Sequence, residues 1–247
     1  MMSPDTGSPP DGVRADGLGA PVPVRVPIAR VARVIWITVA VLVVATFAAQ
    51  LFHEAVSANT VVNLFDSDEK LNFPSTAKLL LMLAATLLFA AVGLATPARH
   101  PRVRWLGMSV IFGLVTLDEF TYMHQRISDV MHDVAGTHGA FRFAWVLIYL
   151  PLLAVLAVVY LPFWRALPTR LRYGLLIAAV LFAGGSGGIE LVKGAIYDDE
   201  RWSLSFGLVA SLSDSLELVG LAILVTILLD HLASLTRGVD LRLHSAE

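Results

Sequence analysis

The chain has 247 residues, 56% of them apolar and 15% charged, and its mean hydropathy is +0.71. That apolar share exceeds the range of ordinary soluble domains and makes an integral membrane protein the expected class. The 18 Lys and Arg against 20 Asp and Glu leave a formal charge of −2, so there is no basic excess to neutralise a nucleic-acid backbone and no nucleic-acid partner is expected. Cysteine is absent, which removes disulfides, thiolate nucleophiles and zinc-thiolate sites together, and leaves oxygen and imidazole as the available metal ligands.

Residues 1–27 are rich in Pro, Gly and Asp without apolar periodicity, the composition of a disordered tail that cannot bury enough surface to offset chain entropy. The first apolar run follows Arg33 and is uncharged from Val34 to Phe52, which predicts a spanning helix rather than a cleaved leader. A hydrocarbon core of about 30 Å needs about 20 apolar residues at about 1.5 Å each. Three charge-free segments meet this need: Val34–Phe52, Leu79–Ala98 and Phe143–Trp164. Three more start equally apolar and then carry acids. Trp105–Leu117 runs into Asp118 and Glu119, Tyr173–Ile189 into Glu190, and Trp202–Ser213 into Asp214 and Glu217 before Leu218–Leu229 resumes.

The expected fold is therefore all-α: a polytopic membrane bundle of six transmembrane helices over residues 28–236, with a short tail at 237–247. The acid-bearing spans face one another and the clean ones face lipid. Arginines cluster before the first span (Arg14, Arg25, Arg30, Arg33), between the second and third (Arg99, Arg102, Arg104), between the fourth and fifth (Arg165, Arg170, Arg172) and after the sixth (Arg237, Arg242). All fall on one side of a six-span chain, so both termini are expected on the cytoplasmic side of the membrane. The opposite side holds Lys70, Lys78, Arg126, Arg142, Lys193 and Arg201, mixed with acids.

This topology puts Asp118 about 21 Å from the cytoplasmic end, Glu190 about 10 Å below the outer surface, and Asp214 and Glu217 about 18–22 Å in from outside. Helical phase then aligns Asp118 with Thr121, Gln125, Ser128 and His132, leaves His124 at the edge of that stripe, and turns Glu119 away toward Arg126. It also groups Ser211 with Asp214 and Glu217, and Ser186, Gly187 and Gly194 with Glu190 and Lys193. Five intramembrane carboxylates against Lys193, Arg126 and His124 cannot all be ionised without further positive charge. Protons or a metal ion are expected to supply it. Asp214 and Glu217 stand mid-helix with no base within four positions, which marks them as functional by the default for intramembrane charge. Glu190 with Lys193 has the spacing of a helix-surface ion pair. The Gly184–Gly188 run offers close helix packing rather than a phosphate loop, because it lacks the preceding strand and the Gly-Lys-Ser/Thr ending. His132 and His138 have the sequence context of a solvated loop, and His100 and His244 that of the surface. Asp66, Asp68 and Glu69, like His53-Glu54, belong to the outer mouth.

The stretches LFDSDEKLNFPS, LDEFTYMHQ, GGIE and SDSLELVGLAI resemble those of uncharacterised bacterial six-helix membrane proteins over residues 61–231. In those a Leu-Asp-x-Glu-x-Asn-x-Pro loop precedes a helix ending Leu-Asp-Glu-x4-His-Glu, and a late helix carries Glu-Glu-x-x-Glu. Gln125 stands here where that pattern has Glu, and Ser213-Asp214 replaces the paired Glu. The resemblance implies no activity; it adds Glu69, Asn72 and Pro74 as candidate positions.

The leading expectation is a divalent-metal site of Asp118, His124, Glu190, Asp214 and Glu217, opening to the outer face. Carboxylate plus imidazole suits Zn²⁺, Mn²⁺ or Fe²⁺, any of which can activate water to hydrolyse a lipid-like substrate. Where Glu217 is not itself a ligand it is the expected general base, with Asp214 its catalytic neighbour. A proton- or cation-coupled transporter of a small cationic ligand is the rival from another class, against which no helix shows a clear Pro/Gly break. A scaffold that uses the acids to hold partner helices is the third.

Overall fold

The computed structural model describes residues 24–25, 27–56, 64–65, 72–137, 139–196, 203–236 and 240–241. Helix α1 runs Ile28–Val56, α2 Phe73–Ala95, α3 Arg99–Thr121, α4 Met123–Ala135 and α5 Val146–Arg165. Helix α6, Thr169–Ala183, continues through a π-helical segment, Gly184–Ile189, into α7, Glu190–Ile196; α8 is Leu204–Thr236. The only described strands are the two-residue β1, Val24–Arg25, and β2, Asp240–Leu241, which pair antiparallel and bring the segments flanking α1 and α8 together. Five helices are long and apolar enough to cross a membrane, and six if the bent pair α3–α4 is one span. The protein is thus an all-helical multi-pass membrane protein.

Helix α8 is the axis of the bundle. Its residues Leu221, Leu224, Val225, Leu228 and Leu232 pack with Met82, Ala85, Phe89 and Val92 of α2, Trp105 of α3, and Leu171 and Ala178 of α6. In α2 and α8 these residues recur at the three- and four-residue intervals of a single buried face, so the charge-free α2 turns that face to α8 and not to lipid, contrary to the expectation for charge-free spans. A second cluster joins Val39 and Leu42 of α1 to Leu218 and Ala222 on another side of α8. Between lipid-facing helices no hydrophobic drive exists, so backbone proximity and small residues carry the packing. Gly220 shows this, because a Cβ there would lie 2.9 Å from both the Ala178 carbonyl oxygen and the Phe182 nitrogen.

The helices start and stop where local chemistry directs. Asn72 caps α2, its Oδ1 accepting from Ser75 N at 2.6 Å, with Pro74 in the first turn, where a missing N–H costs nothing. The span thus begins six residues before the Leu79 expected from hydropathy alone, and Lys78 sits inside it rather than in an outer loop. Helix α3 ends at Tyr122, which has φ 53° in the left-handed region, and α4 leaves at 66°. The expected straight third span is therefore broken there. At the other extreme of burial, α5 packs little against the bundle: Leu147, Leu152, Val155 and Val158 are all exposed.

Two outcomes follow. Because the chain has no cysteine, single cysteines at Ala98, Asp133 and Ala166 can be labelled with a membrane-impermeant maleimide in a native background. Asp133 should label from the side opposite to the other two; Ala98 and Asp133 labelling from one side and Ala166 from the other, because α5 still crosses, would make α3–α4 a re-entrant pair. Gly220→Ala should destabilise the protein by about 1–3 kcal/mol, since the added methyl meets backbone on the facing helix. Reversible unfolding in detergent checks it.

Candidate functional site

Lys78 sits four residues before Met82 on the buried stripe of α2, so the face that packs against α8 also carries its ammonium into the bundle. Its Nζ lies 2.9 Å from Glu119 Oε1 of α3 and 3.0 Å from Glu217 Oε2 of α8, with Asp214 Oδ1 at 3.9 Å. Glu217 is 5% exposed. Sequence reasoning missed this cation because it ended the membrane span at Leu79; the Asn72 cap and the phase of Lys78 with Met82, Ala85 and Phe89 were the available signals. Glu119 accordingly points to Lys78 and not to Arg126, which is exposed.

The break at Tyr122 makes the second cluster. On a continuous helix, residues six apart lie on different faces. Here the 66° bend brings His124 back, and its Nδ1 lies 2.9 Å from Asp118 Oδ2. Tyr149 of α5 donates to Asp118 Oδ1 at 3.0 Å. Trp145 stands edge-on to His124, ring centroids 5.5 Å apart, and is perpendicular to Tyr149 at 5.2 Å. Ser128 Oγ donates to the His124 carbonyl and accepts from Trp145 N, both at 3.2 Å, which ties α4 to the start of α5. The stripe expected for a straight helix is not formed as such: Gln125 is exposed, and His132 Nδ1 is 2.7 Å from the Thr137 carbonyl at the end of α4.

The third cluster is the pair Glu190–Lys193, Nζ donating to Oε1 at 2.7 Å, with Lys193 over the rings of Phe143 and Phe206 at 5.4 and 5.8 Å. The π-helical turn just before it approaches α8 closely. Ser213 Oγ donates to the Gly185 carbonyl at 2.8 Å, and a Cβ on Gly185 would lie 3.0 Å from Glu217 Cγ. The glycine run thus gives α8 room to present Glu217 to Lys78.

All three clusters line one cavity of about 1220 Å³, bounded by α2–α8. Asp118, His124, Glu190, Asp214 and Glu217 are therefore all brought to one space. They are divided among separate cations and hydrogen bonds, however, and among the described residues no three His, Asp or Glu converge into a group able to hold a metal ion. Lys78 supplies positive charge that the sequence count assigned to protons or a metal. Of the positions added by resemblance, Asn72 and Pro74 build the start of α2 and so set the position of Lys78. Glu69, Asp66, Asp68, His138 and His244 lie outside the described residues, as do the side chains of His53 and Glu54.

Removing one partner of a buried pair leaves the other charge uncompensated. Lys78→Met should destabilise the protein by about 3–5 kcal/mol, and Lys78→Met combined with Glu217→Gln should recover part of that loss. A double-mutant cycle of unfolding free energies measures the coupling; additive effects would mean that the pair contributes nothing.

No curated protein and no solved structure is detectably similar to the chain. A family match covers residues 34–232, from within α1 to Leu232 near the end of α8. The chain belongs to DUF8692, a family defined by a domain of unknown function.

Proposed function

We propose that this protein is a membrane-embedded acid–base enzyme of the bacterial cytoplasmic membrane that hydrolyses a lipid-like substrate in the cavity described above. The observation that carries it is the Asp118–His124 pair at 2.9 Å, braced by Tyr149 on the other carboxylate oxygen. A carboxylate on Nδ1 fixes the tautomer of an imidazole and leaves Nε2 as the base that takes a proton from water. Water so activated attacks an ester, amide or phosphodiester bond held beside it. The Lys78 ammonium has three donors, two of which point to Glu119 and Glu217 while Asp214 stands off at 3.9 Å; in this reading a developing oxyanion takes the third in place of Asp214. In this reading Asp214 and Glu217 position Lys78, and the general-base role passes from Glu217 to His124.

The reading needs no metal. The metal-assisted form of the same hydrolysis draws on Asp118, His124, Glu190, Asp214 and Glu217, which would have to regroup around Zn²⁺, Mn²⁺ or Fe²⁺, and metal at one equivalent in purified protein would favour it.

Purified protein in nanodiscs should release product from at least one member of a panel of ester, amide and phosphodiester lipids. His124→Gln and Asp118→Asn should lower that rate by about 10²- to 10⁴-fold, the usual contribution of a positioned base, while melting within a few degrees of wild type. No turnover across the panel, or rates unmoved by either substitution, would overturn the enzyme.

One observation favours a cation-coupled carrier as the second reading. The π-helical Gly184–Ile189 segment interrupts the long apolar helix at the cavity, the kind of break that transport sites use and that hydropathy did not reveal. Vesicle flux driven by a pH or ion gradient, without product formation, would select the carrier.

A further inference from the structure

The cavity has two chemically different parts. Ile111, Leu114 and Val115 share the face of α3 that carries Asp118, and Leu152, Leu153 and Leu156 share the face of α5 that carries Tyr149; all six line the cavity. The Tyr149–Asp118 hydrogen bond therefore closes one end of an apolar slot between α3 and α5. From Asp118 to Ile111 the slot extends seven residues, about 10 Å. Leu114 and Leu153 are 62% and 44% exposed, so neither is consumed in packing one helix on the other.

The polar part has a definite sign. Seven acids line it against Lys78, Lys193 and Arg142 as its permanent cations. Lys78 is taken by Glu119 and Glu217, and Lys193 by Glu190. Asp214 shares Lys78 only at 3.9 Å, and Asp118 is met by an imidazole and a phenol. Asp118 and Asp214 are thus carboxylates with capacity left for another cation. An anionic head would face uncompensated repulsion in the same place.

We infer that the ligand of this cavity is a single-chain amphiphile with an amine-bearing cationic head, the head between Asp118 and Asp214 and the chain in the α3–α5 slot. This rests on the proposed site for its location but not on any chemistry performed there. Such a molecule can arrive sideways from the bilayer, since α5 is exposed along most of its length. It complements both halves of the cavity, whereas a small inorganic cation leaves the slot unfilled.

Trp145 lines the cavity beside His124 and reports occupancy directly. The full chain in phosphatidylcholine nanodiscs is titrated with brominated dodecylamine, with brominated dodecyl sulfate and dodecanol as matched controls, and quenching is followed as the part lost in Trp145→Phe. The amine should quench saturably and at least about ten-fold more tightly than either control. Asp214→Asn should erode that preference. The double substitution Leu114→Phe and Leu153→Phe, at positions whose exposure leaves the fold tolerant, should weaken dodecylamine by about ten-fold and leave hexylamine unchanged. Equal quenching by amine and sulfate would overturn the cationic head. Indifference to the phenylalanine pair would overturn the slot. Saturable amine binding without turnover of any lipid would remove the enzyme and leave this inference standing, and turnover confined to anionic or uncharged lipids would do the reverse.

Discussion

The ammonium of Lys78 is the point on which the bundle turns. A lysine in a membrane helix costs several kcal/mol unless it finds partners, and this one finds them on two other helices at once: Glu119 at the end of α3 and Glu217 in the middle of α8. The ion-pair group thereby fixes the relative rotation of α2, α3 and α8. Lipid-immersed apolar faces cannot fix rotation by themselves, because a leucine is as well solvated by an acyl chain as by another leucine. The aliphatic stripes below Lys78 then pack in the register that the charges select.

Most of the architecture was legible in the sequence, and for one reason. Runs of about twenty apolar residues have no alternative to a spanning helix, since every backbone polar group must be satisfied internally. The presence of α1, α2, α5, α6 and α8 follows from that rule. Where helices begin and break is decided by single residues that hydropathy averages away. Asn72 moved the start of α2 outward and converted Lys78 from a loop charge into the hub of the site. Tyr122, in a left-handed conformation that few non-glycine residues adopt, broke the third span and brought His124 onto Asp118.

The candidate site was legible as a list of residues but not as a set of partnerships. Charge counting along the chain located Asp118, Glu190, Asp214 and Glu217 and recognised that they needed compensation. It could not assign the compensation, since the one cation that meets both Glu217 and Glu119 is Lys78, far away in sequence and at a position that hydropathy assigns to an outer loop. The Glu190–Lys193 pair, by contrast, is local, and its i, i+3 spacing announced it.

The position of Lys78 also bears on how the protein is made. Synthesis and membrane insertion proceed from the N-terminus, so α2 reaches the bilayer before either carboxylate that will neutralise its lysine. Glu119 arrives with the next helix, whereas Glu217 comes only with α8, the last of the described helices. Until α3 follows, the charge on α2 can be accommodated only near the headgroups or by snorkelling. With α3 in place but not α8, Glu119 alone neutralises Lys78. The arrival of α8 then completes the pairing with Glu217 and supplies the apolar face on which α2 packs.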